Sequence, residues 1–231
     1  MKKIFLIIGI MLLFLGMTTR TFSQGGFYLS GALSIPTGDF AEDDGSDAGM
    51  ALTGYGGLVE YSMPVISSGV YWVTGVSYLI NPMDEKGLAI EVFGESEMED
   101  NLDAENHTNI PIATGLKYQT ALETFEVYGL FQVGMNINMI GEWTLSDVYY
   151  EGYSVDEIKF EFETSNSFGV ILGGGIIINK VFNISARYYG LGEIEIDEAT
   201  VTVDGDEMPW SDIEGDEREV SMFVITAGIS F

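Results

Sequence analysis

Cysteine is absent from this chain of 231 residues, histidine occurs once, and only 9 Lys and Arg stand against 36 Asp and Glu. Without cysteine there is no disulfide framework, no thiolate metal site and no lipoprotein anchor. The formal net charge of -27 excludes nucleic acid as a partner, because phosphates are bound by Lys and Arg. The chain is nevertheless 46% hydrophobic, so it is not a disordered acidic polymer.

The chain also lacks an apolar run long enough for a membrane-spanning helix, which needs roughly 18 residues. Its longest such run, Ile4–Met17, follows Lys2 and Lys3 and precedes a small-residue cleavage site before Gln24. This pattern predicts a secretory signal peptide over residues 1–23, with an uncleaved anchor helix as the alternative. The remaining residues, 24–231, are predicted to form one domain.

Eight segments of the remaining chain have the apolar and small-residue character of strands. Most are longer than the usual globular strand, and each suits a tilted strand of about 9–11 residues crossing a bilayer. The predicted strands are Gly26–Ile35, Ala51–Met63, Val70–Ile80, Asn109–Gln119, Phe125–Met139, Ser165–Ile178, Phe182–Leu191 and Val220–Phe231.

The connections between these strands alternate between short and long. Of the 36 acidic residues, all but Glu60, Glu123 and Glu126 lie in the long connections after strands one, three, five and seven. Short turns at one rim and long loops at the other are typical of outer-membrane barrels. We therefore expect an all-β fold, an eight-stranded antiparallel up-and-down transmembrane β-barrel with both termini at the short-turn, periplasmic rim. A soluble lipocalin-like barrel is the alternative.

The alternation of residues along the strands assigns the two faces of the predicted wall. Outward aromatic residues gather near the short-turn rim and indicate a membrane girdle: Phe27, Tyr61, Trp72, Tyr118, Phe125, Phe182 and Phe231. The inward face is predicted to hold a polar network of Glu60, Lys117, Glu126, Gln132 and Arg187. We expect Lys117 and Glu126 to be cross-strand neighbours about a turn at 120–124, and Arg187 to meet Glu60 across the lumen.

Few residues offer catalytic or metal chemistry. The single histidine, His107, has no marked serine partner and is predicted to be a solvated loop residue. Gly173, Gly174 and Gly175 lie inside a strand and indicate close packing of the wall rather than a phosphate loop. The acidic runs are predicted to be solvated surface, with weak divalent-cation candidates at Asp43, Asp44, Asp47, Asp204 and Asp206. No cofactor and no enzymatic activity are expected.

Four segments resemble the outer-membrane β-barrel domain family of Gram-negative bacteria, often labelled porin-like, whose relatives by architecture include the small OmpA-barrel, OmpX and OmpW proteins. The segments are Phe27–Phe40 (FYLSGALSIPTGDF), Asn109–Tyr118 (NIPIATGLKY), Ala186–Leu191 (ARYYGL) and the terminal SMFVITAGISF. The resemblance implies an outer-membrane location in contact with lipid and lipopolysaccharide. It also implies that the barrel-assembly machinery reads the terminal segment through Phe231, although the family usually has an aromatic residue where Ile229 stands.

Three functions remain open at this point. The first is a non-enzymatic envelope protein whose wall anchors acidic extracellular loops for envelope integrity or surface interaction. The second is a narrow porin-like channel for small solutes, although the interior of eight strands has room for little besides side chains. The third, ranked lowest, is a lipid-modifying barrel enzyme that would depend on His107 or a loop carboxylate.

Overall fold

The computed structural model describes residues 25–42, 49–66, 69–93, 101–150, 153–196, 199–210 and 216–231. The predicted signal peptide, residues 1–23, lies outside this range. Strands are numbered in chain order throughout.

Eight long strands close into an antiparallel barrel, which confirms the predicted fold. The strands are β1 (Gly26–Thr37), β2 (Gly54–Ile66), β3 (Val70–Asn81), β5 (His107–Leu122), β6 (Phe125–Met139), β9 (Ser165–Ile178), β10 (Phe182–Ile196) and β13 (Asp216–Ser230). Neighbours around the wall follow the order β1-β13-β10-β9-β6-β5-β3-β2. Each wall strand pairs with the wall strand that follows it in the chain, and the last strand, β13, pairs with the first, β1. The topology is therefore up-and-down.

The barrel closes between its first and last strands. The register of β1 against β13 runs from Tyr28 opposite Ser230 to Thr37 opposite Ser221. At the end of this seam the backbones of Phe27 and Phe231 exchange two N–H···O bonds of 3.0 Å. Both chain ends of the described wall therefore lie at the rim that carries the short turns.

The long connections are not simple loops, which corrects the sequence prediction. They contain a second, five-stranded antiparallel sheet, here called the crown sheet. Its strands are β4 (Leu102–Ala104), β7 (Trp143–Tyr150), β8 (Tyr153–Phe162), β11 (Ala199–Val203) and β12 (Asp206–Trp210). They pair in the order β12-β11-β8-β7-β4. Because three different connections supply these strands, the acidic segments hold one another in place.

One edge of the crown sheet is protected by proline. The hairpin of β11 and β12 turns through Asp204 and Gly205, both at positive φ, so Val203 and Asp206 form its closing pair. Counting from that pair, Pro209 lies opposite Thr200 at a position whose backbone groups point away from β11. Proline therefore removes a hydrogen-bond donor from the open edge without weakening the hairpin.

A short 3-10 helix (Gly38–Ala41) and helix α1 (Glu85–Phe93) lie at the rim of the long connections. The carboxylate of Asp84 accepts the backbone N–H of Gly87 at 3.2 Å, which caps the start of α1. Ala51, predicted to begin the second strand, instead forms an isolated bridge to Met83, and β2 begins at Gly54. We call residues 38–42 and 49–52 the mouth cap.

The wall glycines of β9 provide space inside the barrel. Gly173 lies directly opposite Arg187, and a Cβ atom at Gly173 would stand 2.7 Å from the Arg187 Cγ. A Cβ at Gly175 would stand 2.7 Å from the Tyr128 hydroxyl. These contacts agree with the close-packing interpretation, because large inward side chains fit only where their neighbours have none.

Candidate functional site

A buried ion pair spans the barrel lumen. Arg187 on β10 donates from Nη1 to the Glu60 carboxylate on β2 at 2.7 Å, and both side chains are 1% exposed. The Arg187 Nε also donates to the Ser185 hydroxyl at 3.1 Å, which lies 2.7 Å from the Thr226 hydroxyl. Arg187 therefore meets Glu60 across the lumen, as the sequence pattern predicts.

The second lumen cation, Lys117, is enclosed by aromatic rings rather than paired with a carboxylate. Its ammonium donates to the Tyr28 hydroxyl at 3.3 Å and lies 4.4 Å from the centre of that ring. The ring centres of Tyr71 and Tyr128 are each 5.3 Å away. Such ring faces attract a cation, most strongly where water is excluded, so the cage holds Lys117 in place.

The expected neighbour relation between Lys117 and Glu126 is wrong. The register places Lys117 opposite Leu130, because β5 continues to Leu122 and the turn to Phe125 has only two central residues. Glu126 instead accepts a hydrogen bond from the Gln119 side chain. Because the turn was predicted at 120–124, the expected partner of Lys117 lay four positions from its actual partner on β6.

The rest of the lumen is filled by side chains of both kinds. Gln132 is buried, and the Tyr128 hydroxyl donates to Asn183 at 2.9 Å. Buried apolar side chains include Leu79, Ile171, Ile177, Leu191 and Met222. Some buried polar atoms of the described wall have no protein partner, namely Ser30 Oγ, Gln119 Oε1, Asn136 Oδ1 and Arg187 Nη2. Isolated atoms of this kind are the usual sites of ordered water.

The mouth cap packs on the core at the long-connection end of the barrel through buried Phe40, Met50 and Ala51, and it contacts His107. His107 is 2% exposed, its Nε2 lies 3.0 Å from the Gly49 carbonyl oxygen, and its ring meets the edge of the buried Phe40 ring. The prediction of a solvated loop histidine is therefore wrong. Burial lowers the pKa of His107 to about 4, and the charge of Arg218 acts in the same direction.

The crown sheet exposes its charged residues at the surface. Lys159 lies 2.7 Å from Glu142 and 3.0 Å from Glu161, and hydrogen bonds to these carboxylates raise its pKa above the ordinary value. The carboxylate of Asp204, a divalent candidate, accepts the backbone N–H groups of Asp156 and Glu157. Asp204 is thereby engaged in holding β8 and the β11–β12 turn together.

The other divalent candidates lie outside the part of the chain that the structure describes. Asp43, Asp44 and Asp47 lie outside the described residues, as does the side chain of Asp206. Within the described ranges no group of three or more His, Asp or Glu side chains is arranged to hold a metal ion. No helix in these ranges is long and apolar enough to cross a membrane.

The predicted aromatic girdle lies on the outer face of the wall near the short-turn rim. Trp72, Tyr118, Phe125, Phe182 and Phe231 are exposed, and Phe27 and Tyr61 are half-buried against each other with ring centres 4.7 Å apart. Between the rims the outward face carries exposed aliphatic residues such as Leu33, Leu116 and Ile225. The outer face is thus apolar and exposed, whereas the inner face carries both polar and apolar side chains.

Comparison with solved structures finds a protein with the same barrel fold. No family model matches the chain, and neither does any curated protein. Among solved structures, a major outer membrane protein from Thermus thermophilus matches with a TM-score of 0.54 at 12% identity, over 90% of this chain and 100% of that one. The Neisserial surface protein A matches with a TM-score of 0.47 at 11% identity, over 90% and 96% of the two chains.

A third similar structure is the attachment invasion locus protein Ail of Yersinia pestis. It matches with a TM-score of 0.42 at 15% identity, over 90% of this chain and 97% of that one. These identities are too low to transfer a role from any of the three proteins. The chain has the closed eight-stranded barrel fold of outer-membrane proteins.

Proposed function

We propose that the chain is a non-enzymatic integral outer-membrane protein whose barrel anchors a folded, acidic crown sheet outside the cell. The exposed outer face of the wall carries this proposal. Phe168 is 67% exposed, Tyr118 58% and Phe223 52%, and similar residues continue around every strand of the wall. Monomeric soluble proteins rarely expose contiguous apolar patches larger than a few hundred Å². A bilayer would remove this surface from water.

Two aromatic levels support a fixed position in the bilayer. The girdle at the short-turn rim has a counterpart nearer the crown sheet, formed by Tyr55, Tyr78, Phe168 and Phe223. Aromatic rings favour the two headgroup levels, and aliphatic residues the hydrocarbon between them. In this orientation the termini and short turns are periplasmic, and the mouth cap and crown sheet are extracellular.

Partners follow from the same orientation. The wall would contact lipid and lipopolysaccharide, and the terminal strand with Phe231 would be read by the barrel-assembly machinery. The described basic side chains outside the lumen are few: Lys86, Lys159, Lys180 and Arg218. Since the crown is strongly acidic, divalent cations rather than direct lysine contacts would bridge it to lipopolysaccharide phosphates.

Membrane fractionation tests the location. The chain is expressed with its predicted signal peptide, and the envelope is extracted with carbonate and then with detergent. We expect the protein in the detergent-soluble outer-membrane fraction, with gel mobility that changes on heating because closed barrels resist unfolding in detergent. Recovery in the periplasmic fraction without detergent would contradict the proposal and favour the soluble, lipocalin-like barrel.

A narrow channel is the second candidate, and the partnerless polar atoms in the lumen favour it, because they call for water inside the barrel. Against it stand the buried side chains and the mouth cap. Conductance of the refolded chain in a planar bilayer decides between the two. Steady openings altered by Lys117→Met would support a channel, whereas confirmed insertion without conductance would support the closed anchor.

A further inference from the structure

Two neighbouring side chains of the barrel rim bind the mouth cap, in addition to backbone contacts between the cap and residues 82–84. Asn81 and His107 lie opposite each other on β3 and β5, beyond the upper aromatic level and outside the membrane-spanning part of the wall. The Asn81 amide donates to the Leu52 carbonyl at 2.8 Å, and His107 Nε2 faces the Gly49 carbonyl at 3.0 Å. Both acceptors are backbone carbonyls of the cap. One attachment does not titrate, whereas the other is the only histidine of the chain.

Backbone hydrogen bonds join the two parts of the cap, residues 38–42 and 49–52, into one unit. Within it Gly49 donates to the Asp39 carbonyl at 2.6 Å and Ala51 to the Phe40 carbonyl at 3.0 Å. The cap backbone also joins the start of the third connection, where Leu52 donates to the Pro82 carbonyl and Asp84 donates to the Met50 carbonyl, each at 2.7 Å. Release of the His107 contact would therefore expose a hydrogen-bonded segment rather than one residue.

The environment of His107 favours the neutral ring. Since Gly49 offers a carbonyl acceptor, Nε2 carries the proton and donates it, which leaves Nδ1 as a bare nitrogen. That Nδ1 is buried and has no partner among the described residues. A second proton would create a buried cation whose new N–H has no acceptor, and such a group is costly in a dry site.

Charged groups on the surrounding elements do not offset this cost. The 3-10 segment carries Asp39 and Glu42, β13 carries Arg218 and Glu219, and Glu105 precedes β5. Among these groups the charge of Arg218 acts on the ring, and it opposes protonation. Opening the cap would admit water to the ring and remove the penalty.

We propose that His107 is an acid-sensitive latch, which holds the mouth cap against the core of the barrel while it is neutral and releases the cap when it is protonated. Protonation and opening are then linked, so acid shifts the cap toward its open state. The difference between the ordinary pKa of 6.5 and about 4 in the closed state limits the shift to about 300-fold. The latch goes beyond the proposed membrane function and does not depend on it.

Hydrogen exchange of the cap amides tests the latch, because exchange reports even rare openings. The full refolded chain is compared with His107→Gln between pH 7 and pH 4. At each pH the exchange rate of the wild-type peptide containing residues 49–52 is divided by the rate of the same peptide in the variant. The glutamine amide can donate to the Gly49 carbonyl but does not titrate. The ratio removes the intrinsic pH dependence of exchange and the effect of the carboxylates, which both proteins share.

We expect the ratio of wild-type to variant exchange to rise by about 100-fold as pH falls from 7 to 4, because at pH 4 the ring of the closed state is half protonated, and peptides of β9 to show no change. His107→Phe should exchange faster than His107→Gln but with the same flat pH profile. Asn81→Ala should accelerate cap exchange while keeping the wild-type pH dependence. A flat ratio of wild type to His107→Gln, with Asn81→Ala still accelerated, would overturn the latch.

Discussion

The barrel wall and the crown sheet are both antiparallel sheets, yet among the described residues only the wall exposes large apolar side chains along a whole face. In the wall, Leu116 and Phe131 point outward and are exposed, while Ser30 and Asn136 are buried inside. In the crown sheet, Leu145 and Trp143 are buried, while Glu161 is exposed at the surface. The same alternation of side chains thus serves two surroundings. The wall is built for an apolar exterior and the crown for water.

Of the changes that test the wall and the crown, removal of the lumen ion pair should have the largest effect on the free energy of unfolding. Glu60→Gln leaves the Arg187 charge buried without its counterion, and we expect the free energy of unfolding to fall by about 3–5 kcal/mol. Urea titration of the refolded protein, followed by the heat-dependent gel shift, measures the loss. Glu123→Gln, in the exposed turn after β5, is the matched control and should change stability by less than about 0.5 kcal/mol. Equal midpoints for the two variants would contradict a structural role for the pair.

Truncation of a buried side chain in the crown should show whether the crown sheet unfolds independently of the barrel wall. Leu145 is 1% exposed, and Leu145→Ala should cost about 2–5 kcal/mol, felt in the crown sheet alone. Hydrogen exchange should accelerate in β7 and β8, while peptides of β6 and β9 stay protected. Thr144→Ala, one residue away and half-buried, is the control with a small effect. Simultaneous loss of protection in both sheets would show that they unfold as one unit.

The cost of a charge on the outer face of the wall should depend on its distance from the short-turn rim, if the wall is surrounded by a bilayer. Leu116 and Leu122 are nearly equally exposed, at 49% and 48%, but Leu116 lies within the wall and Leu122 at its short-turn end. In lipid vesicles we expect Leu116→Arg to cost about 2–4 kcal/mol and Leu122→Arg about 0–1 kcal/mol. Folding titrations in urea measure both variants. Equal costs would argue against a bilayer around the wall.

Neutralisation of Lys159 should have the smallest effect. Its ion pairs with Glu142 and Glu161 are solvent-exposed, and such pairs contribute little. The raised pKa means that any contribution is constant near neutral pH and is lost only when pH rises through that raised value. Lys159→Met should leave the exchange of β8 within error at both low and high salt. A clear acceleration at low salt would show that the acidic crown depends on this cation.

The wall strands were predictable because their signals are local and long. Alternation through Phe223, Ile225, Ala227 and Ile229 specifies the face, and the acid-free stretches specify the length. Most of the crown sheet was missed because acid density suggested loops. The alternation of Ile194, Ile196, Val201 and Val203 indicated a longer hairpin in the fourth long connection. Ile158, Lys159, Phe160, Glu161 and Phe162 also alternate as a strand should. That alternation was the available signal. Three-residue β4 offers none.

Contacts between distant segments were predictable only in part. The Glu60–Arg187 pair was expected because few lumen residues carry charge, so few pairings are possible. The aromatic cage of Lys117 depends on a register that a two-residue turn sets, and the wrong turn length gave the wrong partner. His107 follows Glu105 and Asn106, a polar stretch typical of loops. Its burial depends on a cap folded from residues far along the chain, which no local pattern encodes.

The seam between β1 and β13 has a consequence for how the molecule forms. Thr37 and Ser221, joined by a hydrogen bond of 3.1 Å, are 184 positions apart in the chain. Each hairpin of the wall can pair early, but the ring exists only after the first strand meets the last. Contacts of such high sequence separation slow folding, and until they form both ends of the sheet remain open to wrong partners. A chain cut short before β13 therefore gives an unsealed sheet rather than a smaller barrel.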